Sequence, residues 1–226
     1  MLSIIGMTFA LFTSSVQVRT HLVAGTLDVT LKRTNLSYNY LDTNGKLVEK
    51  TDTNEIDFSA ANAPDNIFGI TGTEEITIVP GSFFEAELKV TSDSSCAYDY
   101  SVTIVLVGTE DKDDKFSVAV NDLAKQVKVT VIPPDVSKTK SMMLSELLTP
   151  DAAGNGSIDV AQMQPGASEQ SFIVRLEFVD DVTLPSGSTN NFENNDAQGL
   201  GVFFDVIVTA TQATDPDPVP PTNPTN

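Results

Sequence analysis

Apolar and polar residues alternate along five stretches of this sequence, and that two-residue period limits the possible folds more than any other feature. Neighbouring side chains of a β-strand point to opposite faces of a sheet, so each stretch is expected to form a strand with one buried face. The apolar series are Leu27, Val29 and Leu31; Phe84, Ala86, Leu88 and Val90; Tyr98, Tyr100, Val102, Ile104 and Leu106; Phe172, Val174, Leu176 and Phe178; and Val202, Phe204, Val206, Val208 and Ala210. The pattern predicts an all-β protein.

The segments between these strands carry turn residues in place of long helices. Asp42 to Gly45 predicts a hairpin turn, because Asn and Gly tolerate positive φ. Residues 125–132 are a further candidate strand that stops at Pro133, and Ser141–Leu148 is the best candidate for a short helix. About eight strands joined in this way predict a jelly-roll-like antiparallel β-sandwich with long loops and at most short helices.

The composition is sufficient for one domain of this kind. Hydrophobic residues make up 40% of the chain, and all-β domains of about 200–250 residues often remain undivided. We expect a single sandwich domain over residues 22–212, preceded by a signal-peptide remnant at 1–10 and an extended arm at 11–21. Residues 213–226 are rich in Pro, Asp, Thr and Asn and are expected to form a disordered acidic tail. Residues 52–73 lack a clear period and predict a long loop.

The chain is strongly acidic, with a formal net charge of −18 at pH 7. After Lys140 it has one basic residue, Arg175, and twelve acidic ones: Glu146, Asp151, Asp159, Glu169, Glu177, Asp180, Asp181, Glu193, Asp196, Asp205, Asp215 and Asp217. Such a surface repels nucleic acids and anionic membranes, because binding to them relies on Lys and Arg. It favours cations or basic partners, and it is equally typical of a protein that must stay soluble outside the cell.

Two residue types are too scarce for the chemistry that they usually support. Cys96 is the one cysteine, so an internal disulfide is excluded. Its expected role is that of a small buried hydrophobe, with pairing between two chains as the alternative. His21 is the one histidine, which excludes an H-E-x-x-H zinc site. The sequence shows no His/Asn partner set for a nucleophile.

The best candidate for a metal site is a short acidic segment. Asp151, Asn155 and Asp159 occupy positions one, five and nine of an EF-hand loop. Ala153 at position three and Gln162 at position twelve leave the calcium ligand set incomplete. A plain turn explains the same residues, so we expect no required metal or cofactor, with calcium as the alternative.

The first ten residues have the character of a signal-peptide core. Met1 to Ala10 is an apolar run that ends in small residues, and it is too short to span a bilayer, which needs about 20 apolar residues. The usual preceding basic region is missing, so the sequence is expected to begin inside a longer precursor. The prediction is a secreted protein; a buried strand or short helix at the domain edge is the alternative.

Three matches resemble the TasA/camelysin family of secreted biofilm-matrix proteins. Gly6 to Phe12 is similar to the family's junction for a SipW-type signal peptidase, and Ala24-Gly25-Thr26-Leu27-Asp28-Val29 is similar to the strand that follows that junction. Phe204–Gln212 resembles the family's closing FDxxxxATQ strand. Val79-Pro80-Gly81, followed by Phe83 to Val90, resembles its turn and strand.

This resemblance implies a structural role in extracellular fibres. The family's fibres grow by donor-strand exchange, in which the N-terminal segment of one subunit enters the next. Cleavage between Ala10 and Leu11 would free that segment; before cleavage it would be tied to the membrane only through the uncleaved signal peptide. The partners would be copies of the same chain and a minor anchor subunit. The camelysin branch is also associated with metalloprotease activity, which the missing H-E-x-x-H argues against.

The residues of the arm fit such a role. An open sheet edge offers unpaired N–H and C=O groups that an extended peptide can satisfy. Phe12, Ser14, Val16 and Val18 would share one face of the extended arm, and with Leu11 they are the candidate donor residues. A head-to-tail contact of this kind gives a filament rather than a ring. The alternative is that residues 11–20 fold back as the first strand of their own domain.

Together these features predict a secreted structural subunit of a biofilm-matrix fibre, without catalysis. The alternative is a monomeric secreted or cell-surface β-sandwich that binds a glycan or a protein through long loops such as 52–73. An exposed aromatic cluster at a loop end would favour the binding module. A vacant hydrophobic groove matching Phe12, Val16 and Val18 would favour the fibre.

Overall fold

The strands of this protein pack as two facing sheets. The computed structural model describes residues 16–24, 29–42, 44–64, 67–68, 79–92, 97–106, 122–148, 157–163, 169–180 and 202–212. Within them lie eleven strands: β1 (Val16–Ala24), β2 (Val29–Leu41), β3 (Leu47–Asp52), β4 (Ile56–Asp57), β5 (Phe83–Ser92), β6 (Tyr98–Leu106), β7 (Val127–Ile132), β8 (Lys140–Met143), β9 (Ser157–Met163), β10 (Glu169–Phe178) and β11 (Val202–Gln212). The same residues include the short helices α1 (Asp122–Gln126) and α2 (Leu144–Leu148) and a 3-10 helix (Val136–Lys138).

The strand order divides the domain into a four-stranded and a seven-stranded sheet. The four-stranded sheet has the order β1-β11-β6-β9, and the seven-stranded sheet has the order β3-β2-β5-β10-β7-β8, with β4 also paired to β2. The described pairs are antiparallel except β1 with β11, which is parallel. Buried residues of both sheets belong to one hydrophobic cluster. The expected all-β sandwich is therefore confirmed, and the jelly-roll order of its strands stays a prediction.

The alternating residues form the buried faces wherever the structure describes their side chains. On β10 the four predicted residues are all buried: Phe172, Val174, Leu176 and Phe178. The strands on either side of β10 extend this face with Ala86, Leu88 and Val90 of β5 and Val127, Val129 and Val131 of β7. Each fully buried side chain of this size stabilises the fold by about 1.5–3 kcal/mol, so this face supplies much of the folding free energy.

Tyr100 of β6 and Phe172 of β10 join the two sheets. Their ring centroids are 5.7 Å apart and the rings are tilted by 50°, a geometry that aromatic pairs favour. The Tyr100 hydroxyl also donates a hydrogen bond of 3.0 Å to Oε1 of Gln170 on β10. Burial raises the pKa of the Tyr100 hydroxyl, and Tyr98 adds to the effect. The group therefore stays protonated and keeps its role as a donor between the sheets.

The strand expected at residues 125–132 begins later, at Val127, because α1 precedes it. Leu123 and Ala124 of this helix are fully buried, and Lys125 Nζ lies 2.6 Å from Asp122 Oδ1. A five-residue helix spans little more than one turn, so its period could not be recognised in the sequence.

The helix expected at 141–148 likewise begins later, at Leu144, after the short strand β8. The Glu146 carboxylate accepts a hydrogen bond of 2.9 Å from the Met143 backbone N–H. This contact is one half of a capping box, in which an acidic side chain satisfies an N–H at the start of the helix. It determines where the strand ends and the helix begins.

The predicted hairpin turn joins β2 to β3. Oδ1 of Asp42 accepts hydrogen bonds of 2.9 Å from the backbone N–H groups of Asn44 and Lys46. Gly45 has a φ of +75°, which favours glycine at this position. The backbone hydrogen bond from Lys46 is the main cause of a lowered pKa of Asp42, so the carboxylate that holds the turn stays ionised. The hairpin prediction is confirmed.

A second turn, at Val79–Ser82, leads into β5. The Ser82 N–H donates a 2.8 Å hydrogen bond to the Val79 carbonyl, and Gly81 has a φ of +90°. Asn39 of β2 donates to the Gly81 carbonyl at 3.2 Å and accepts from the Phe83 N–H at 2.6 Å. The Pro-Gly turn and its strand are present as the resemblance implies. Turns of this kind occur in many β-proteins, so the turn supports the fold and not the family.

We expect Phe172→Ala to lower the free energy of unfolding by about 3–5 kcal/mol, because it removes the ring that joins the sheets and leaves a cavity. Ile173→Ala, on the opposite face of the same strand, is the matched control and should cost about 1 kcal/mol. Urea unfolding followed by circular dichroism measures both. Equal losses would show that the contact between Tyr100 and Phe172 has no special role.

Candidate functional site

The edge formed by the first and last described strands is the candidate functional site. β1 lies at the end of the four-stranded sheet and pairs with β11 over its full length, from Val16 opposite Val202 to Ala24 opposite Ala210. We call β1 and β11 the terminal strand pair. On its other side β11 pairs with β6, from Phe204 opposite Leu106 to Gln212 opposite Tyr98. β11 therefore pairs with a strand on each side, whereas among the described strands β1 pairs with β11 alone.

The register of the pair divides β1 into two rows. Directly opposite residues of neighbouring strands share a face, and Val206, Val208 and Ala210 of β11 are buried in the core. The β1 positions on this core face are Val16, Val18, Thr20, Leu22 and Ala24, and those on the other face are Gln17, Arg19, His21 and Val23. These two rows are the ones that the alternation in the arm predicted for residues 16–19.

Two of the candidate donor residues lie in this strand. Val16 is opposite Val202 and Val18 is opposite Phe204, both on the core face. The other candidates, for donation and for signal cleavage, lie outside the described residues: Ala10, Leu11, Phe12 and Ser14. In this single chain, residues 16–20 have the fold-back arrangement, and donation to a second chain stays a prediction. The strand also continues to Ala24, beyond the boundary expected between residues 21 and 22.

The parallel pairing of β1 and β11 has a topological consequence. Parallel strands need a long connection to bring the second strand into the same direction, and here almost the entire described domain lies between them. β1 is linked to β2, in the other sheet, by residues 25–28 alone. Among the described strands, only β11 pairs with β1. Removing β1 would therefore break one ladder and leave the other described ladders intact.

The other strands at the ends of the two sheets have features that discourage pairing with a further chain. β9 has a bulge at Val160, where its pairing with β6 shifts, β8 is only four residues long, and β3 carries Glu49, Lys50 and Asp52. Bulges, short length and charges all protect the edge of a sheet. β1, with nine residues and one formal charge, is the least protected of the four.

The candidate calcium residues are only partly described. Asp159 lies on β9 with an exposed side chain, opposite Ser101 of β6. Asp151 and Asn155 lie outside the described residues. Among the part of the chain that the structure describes, no group of three or more His, Cys, Asp or Glu residues is placed to hold a metal ion. The calcium alternative therefore gains no support from Asp159.

Arg33 is a buried cation that the sequence pattern did not reveal. Arg33 lies on β2, which has a bulge between Arg33 and Asn35, where its register with β5 shifts. Leu31 and Leu36, an odd and an even position, are both buried, and the bulge supplies the necessary change of face. The signal for it in the sequence is the interrupted alternation between these two leucines.

The Arg33 guanidinium attaches the segment after β3 to the sheet. Its Nη2 donates to Asp52 Oδ2 at 2.7 Å, and its Nη1 donates to the Phe68 carbonyl at 2.5 Å. Burial lowers the pKa of Arg33, and Asp52 opposes that shift; a guanidinium is basic enough to remain charged at neutral pH. Ile67 and Phe68 are themselves buried. The described residues of the loop expected at 52–73 are thus anchored to the domain.

An aromatic row lies beside the hairpin, formed by Tyr38, Tyr40 and Phe84. Tyr38 stacks on Phe84 with ring centroids 5.7 Å apart and an angle of 6° between the planes. Lys50 Nζ lies 5.0 Å from the centre of the Tyr40 ring, within reach of a cation–π interaction. All three rings are half-buried. The row is the described feature that most nearly meets the expectation for a binding module.

No family model matches the chain, and no curated protein matches it either. The likeness to the TasA/camelysin family therefore rests on the quoted motifs alone. Within the described residues, none of the helices has the length and apolar character needed to cross a membrane.

Acid is expected to weaken the attachment made by Arg33. The N–H of Asn54 is the largest cause of a lowered pKa of Asp52, and Arg33 contributes to the same direction. The stabilisation is present above the ordinary value of 3.8 and is lost as the pH falls through the lower folded-state value. Asp52→Asn should cost about 1–3 kcal/mol at pH 7, because it leaves the buried cation without its anion.

The difference in unfolding free energy between wild type and Asp52→Asn, measured in urea from pH 7 to pH 2, checks this prediction. It should shrink below the ordinary pKa of Asp52. Asp57→Asn, on the neighbouring strand β4, is the control and should cost less at pH 7. A difference that stays constant with pH would contradict the role given to the Asp52 carboxylate.

Proposed function

We propose that this protein is a secreted structural subunit of an extracellular biofilm-matrix fibre of the TasA/camelysin type. In the fibre, β1 of one copy takes the place of β1 in the next copy, alongside its β11. The observation that carries the proposal is the terminal strand pair, in which an N-terminal edge strand is held by one ladder and places its mainly apolar row on the core face. The motif resemblance at both ends of the chain supports the same conclusion.

Exchange of β1 costs little because the lost contacts are regained. A strand that enters a neighbouring copy forms the same register with the same β11 sequence, as in other domain-swapped assemblies. Only residues 25–28 separate β1 from β2 along the chain. Cleavage between Ala10 and Leu11 would then control assembly by releasing the arm.

One arm and one acceptor edge per subunit give an open chain of subunits. A contact between two different surfaces does not close on itself unless the rotation allows a ring, so the product is a filament. The partners are copies of the same chain, with a minor anchor subunit at one end. The net charge of −18 keeps free subunits apart and suits an extracellular location. No catalytic residue or cofactor is part of this proposal.

A cysteine pair at opposite positions distinguishes exchange from fold-back. His21 lies directly opposite Ile207, both on the face away from the core. In a Cys96→Ser background, His21→Cys with Ile207→Cys should give a ladder of disulfide-linked oligomers on a non-reducing gel, which a reducing agent collapses to monomer. The control is Thr130→Cys with Ser141→Cys, opposite each other on β7 and β8, which should stay monomeric. An internal disulfide at every protein concentration would rule out exchange of β1.

Truncation tests whether β1 is needed for assembly. Protein that starts at Leu11 should form filaments in negative-stain microscopy and sediment as polymer, whereas protein that starts at Gly25 lacks all of β1 and should not. A peptide covering residues 11–24 should bind the truncated protein and raise its melting temperature, because it restores the missing ladder. A peptide of the same composition in scrambled order is the control.

The same truncation experiment also tests the alternative function. If both proteins remain monomeric across concentration, pH and calcium, fibre formation by this chain alone fails. The alternative is a monomeric secreted or cell-surface binding module, and the aromatic row of Tyr38, Tyr40 and Phe84 is the observation that favours it. Tyr38 and Phe84 also pack against the core, so the row meets the expectation of an exposed aromatic cluster only in part.

A further inference from the structure

The terminal strand pair contains one formal cation and one formal anion, and the register places them directly opposite each other. β1 has Arg19 and no other Lys, Arg, Asp or Glu, and β11 has Asp205 and no other. Arg19 is the register partner of Asp205. We propose that these two positions determine the register in which β1 enters the edge of β11, and so which strand is accepted. For entry into a neighbouring copy, the inference rests on the proposed fibre.

The core face alone does not select this register. A shift of one residue would move the mainly apolar row of β1 to the other face, which the alternation of its sequence disfavours. A shift of two residues keeps the faces and places Val18 or Leu22, in place of the polar Thr20, opposite the buried Val206. Thr20 then lies opposite Val208 or Phe204, on the same face, so the core row discriminates little between the three registers. The outer face carries the charged positions, which offer a stronger means of discrimination.

On the outer face, the opposite charges of Arg19 and Asp205 favour the observed register over the two shifted registers. A shift of two residues replaces Arg19 opposite Asp205 with Gln17 or His21, which loses the attraction of opposite charges in adjacent strands. On its other side Asp205 faces Val105 of β6. The next acidic position on that face of β6, Asp99, is opposite Thr211, six residues away or about 20 Å along the strand.

Reversing the charge at each position tests the strand register while leaving the sequence of the core unchanged. Arg19→Asp places two carboxylates opposite each other, and Asp205→Arg places two guanidinium groups opposite each other. Each variant alone should give on the order of tenfold less polymer than wild type at low salt, because an attraction becomes a repulsion. The double variant Arg19→Asp with Asp205→Arg should polymerise by itself.

An equal mixture of the two single variants gives the decisive result. In exchange, the acidic arm of the Arg19→Asp variant fits the basic edge of the Asp205→Arg variant. The unaltered Arg19 arm of the second variant fits the unaltered Asp205 edge of the first. The mixture should therefore recover polymer in which the two variants alternate, measured by pelleting with differently labelled proteins. High salt, near 1 M, should weaken this selectivity, since the screening length falls to about 3 Å.

Two controls separate pairing from a general effect of charge. Arg19→Lys keeps the cation and should polymerise like wild type. Thr209→Arg adds a cation at another position of β11, opposite Val23, and should also polymerise. Circular dichroism of each variant confirms that the domain is folded before polymer is measured.

The possible outcomes test the register and the fibre separately. Single variants that polymerise like wild type would overturn the register proposal, and so would a loss that neither the mixture nor the double variant recovers. If the singles are destabilised, the double variant regains stability and the mixture recovers nothing, the register is set by these residues within one chain. That last result supports the register proposal and overturns the fibre.

Discussion

Phe172 and Tyr100 touch across the space between the two sheets, and the rest of the domain is arranged around that contact. Phe172 belongs to β10, which lies between β5 and β7, and Tyr100 belongs to β6, which lies between β11 and β9. The buried faces of these strands meet in one cluster. β9, at one end of the four-stranded sheet, adds Ile158, Val160 and Met163 to this cluster. β1 lies at the other end of that sheet and, among the described strands, pairs with β11 alone.

Much of the fold could be predicted because burial follows the two-residue period. Phe172 to Phe178 and Ala86 to Val90 lie on the faces that their spacing indicates. The bulge beside Arg33 could not be predicted, because a cation within an alternating series does not by itself indicate burial, and the structure buries it against Asp52 and Phe68. Helix α1 was missed because its burial depends on neighbouring strands. Such tertiary contacts are not encoded in the local pattern.

The candidate site was predictable in one respect and not in another. The alternation separates Val16 and Val18 from Gln17 and Arg19, and the register agrees with that division. The partner strand could not be predicted, because pairing of β1 with β11 joins residues almost two hundred positions apart and leaves no local signal. The motif likeness covers β11 but, near the start of the chain, lies before β1 and at Ala24 to Val29. It therefore did not indicate β1 as the partner of β11.

The direction of the terminal strand pair also places the start of β1 and the end of β11 at opposite ends of the pair. Because β1 and β11 are parallel, the chain enters β1 beside Val202 and leaves β11 beyond Ala24, at the opposite end of the pair. These points are separated by about 30 Å, the length of nine extended residues. A cargo fused after Gln212 would be carried at the far end from the incoming N-terminal segment. A scaffold built from such subunits could therefore display one cargo per repeat without obstructing the joint between repeats.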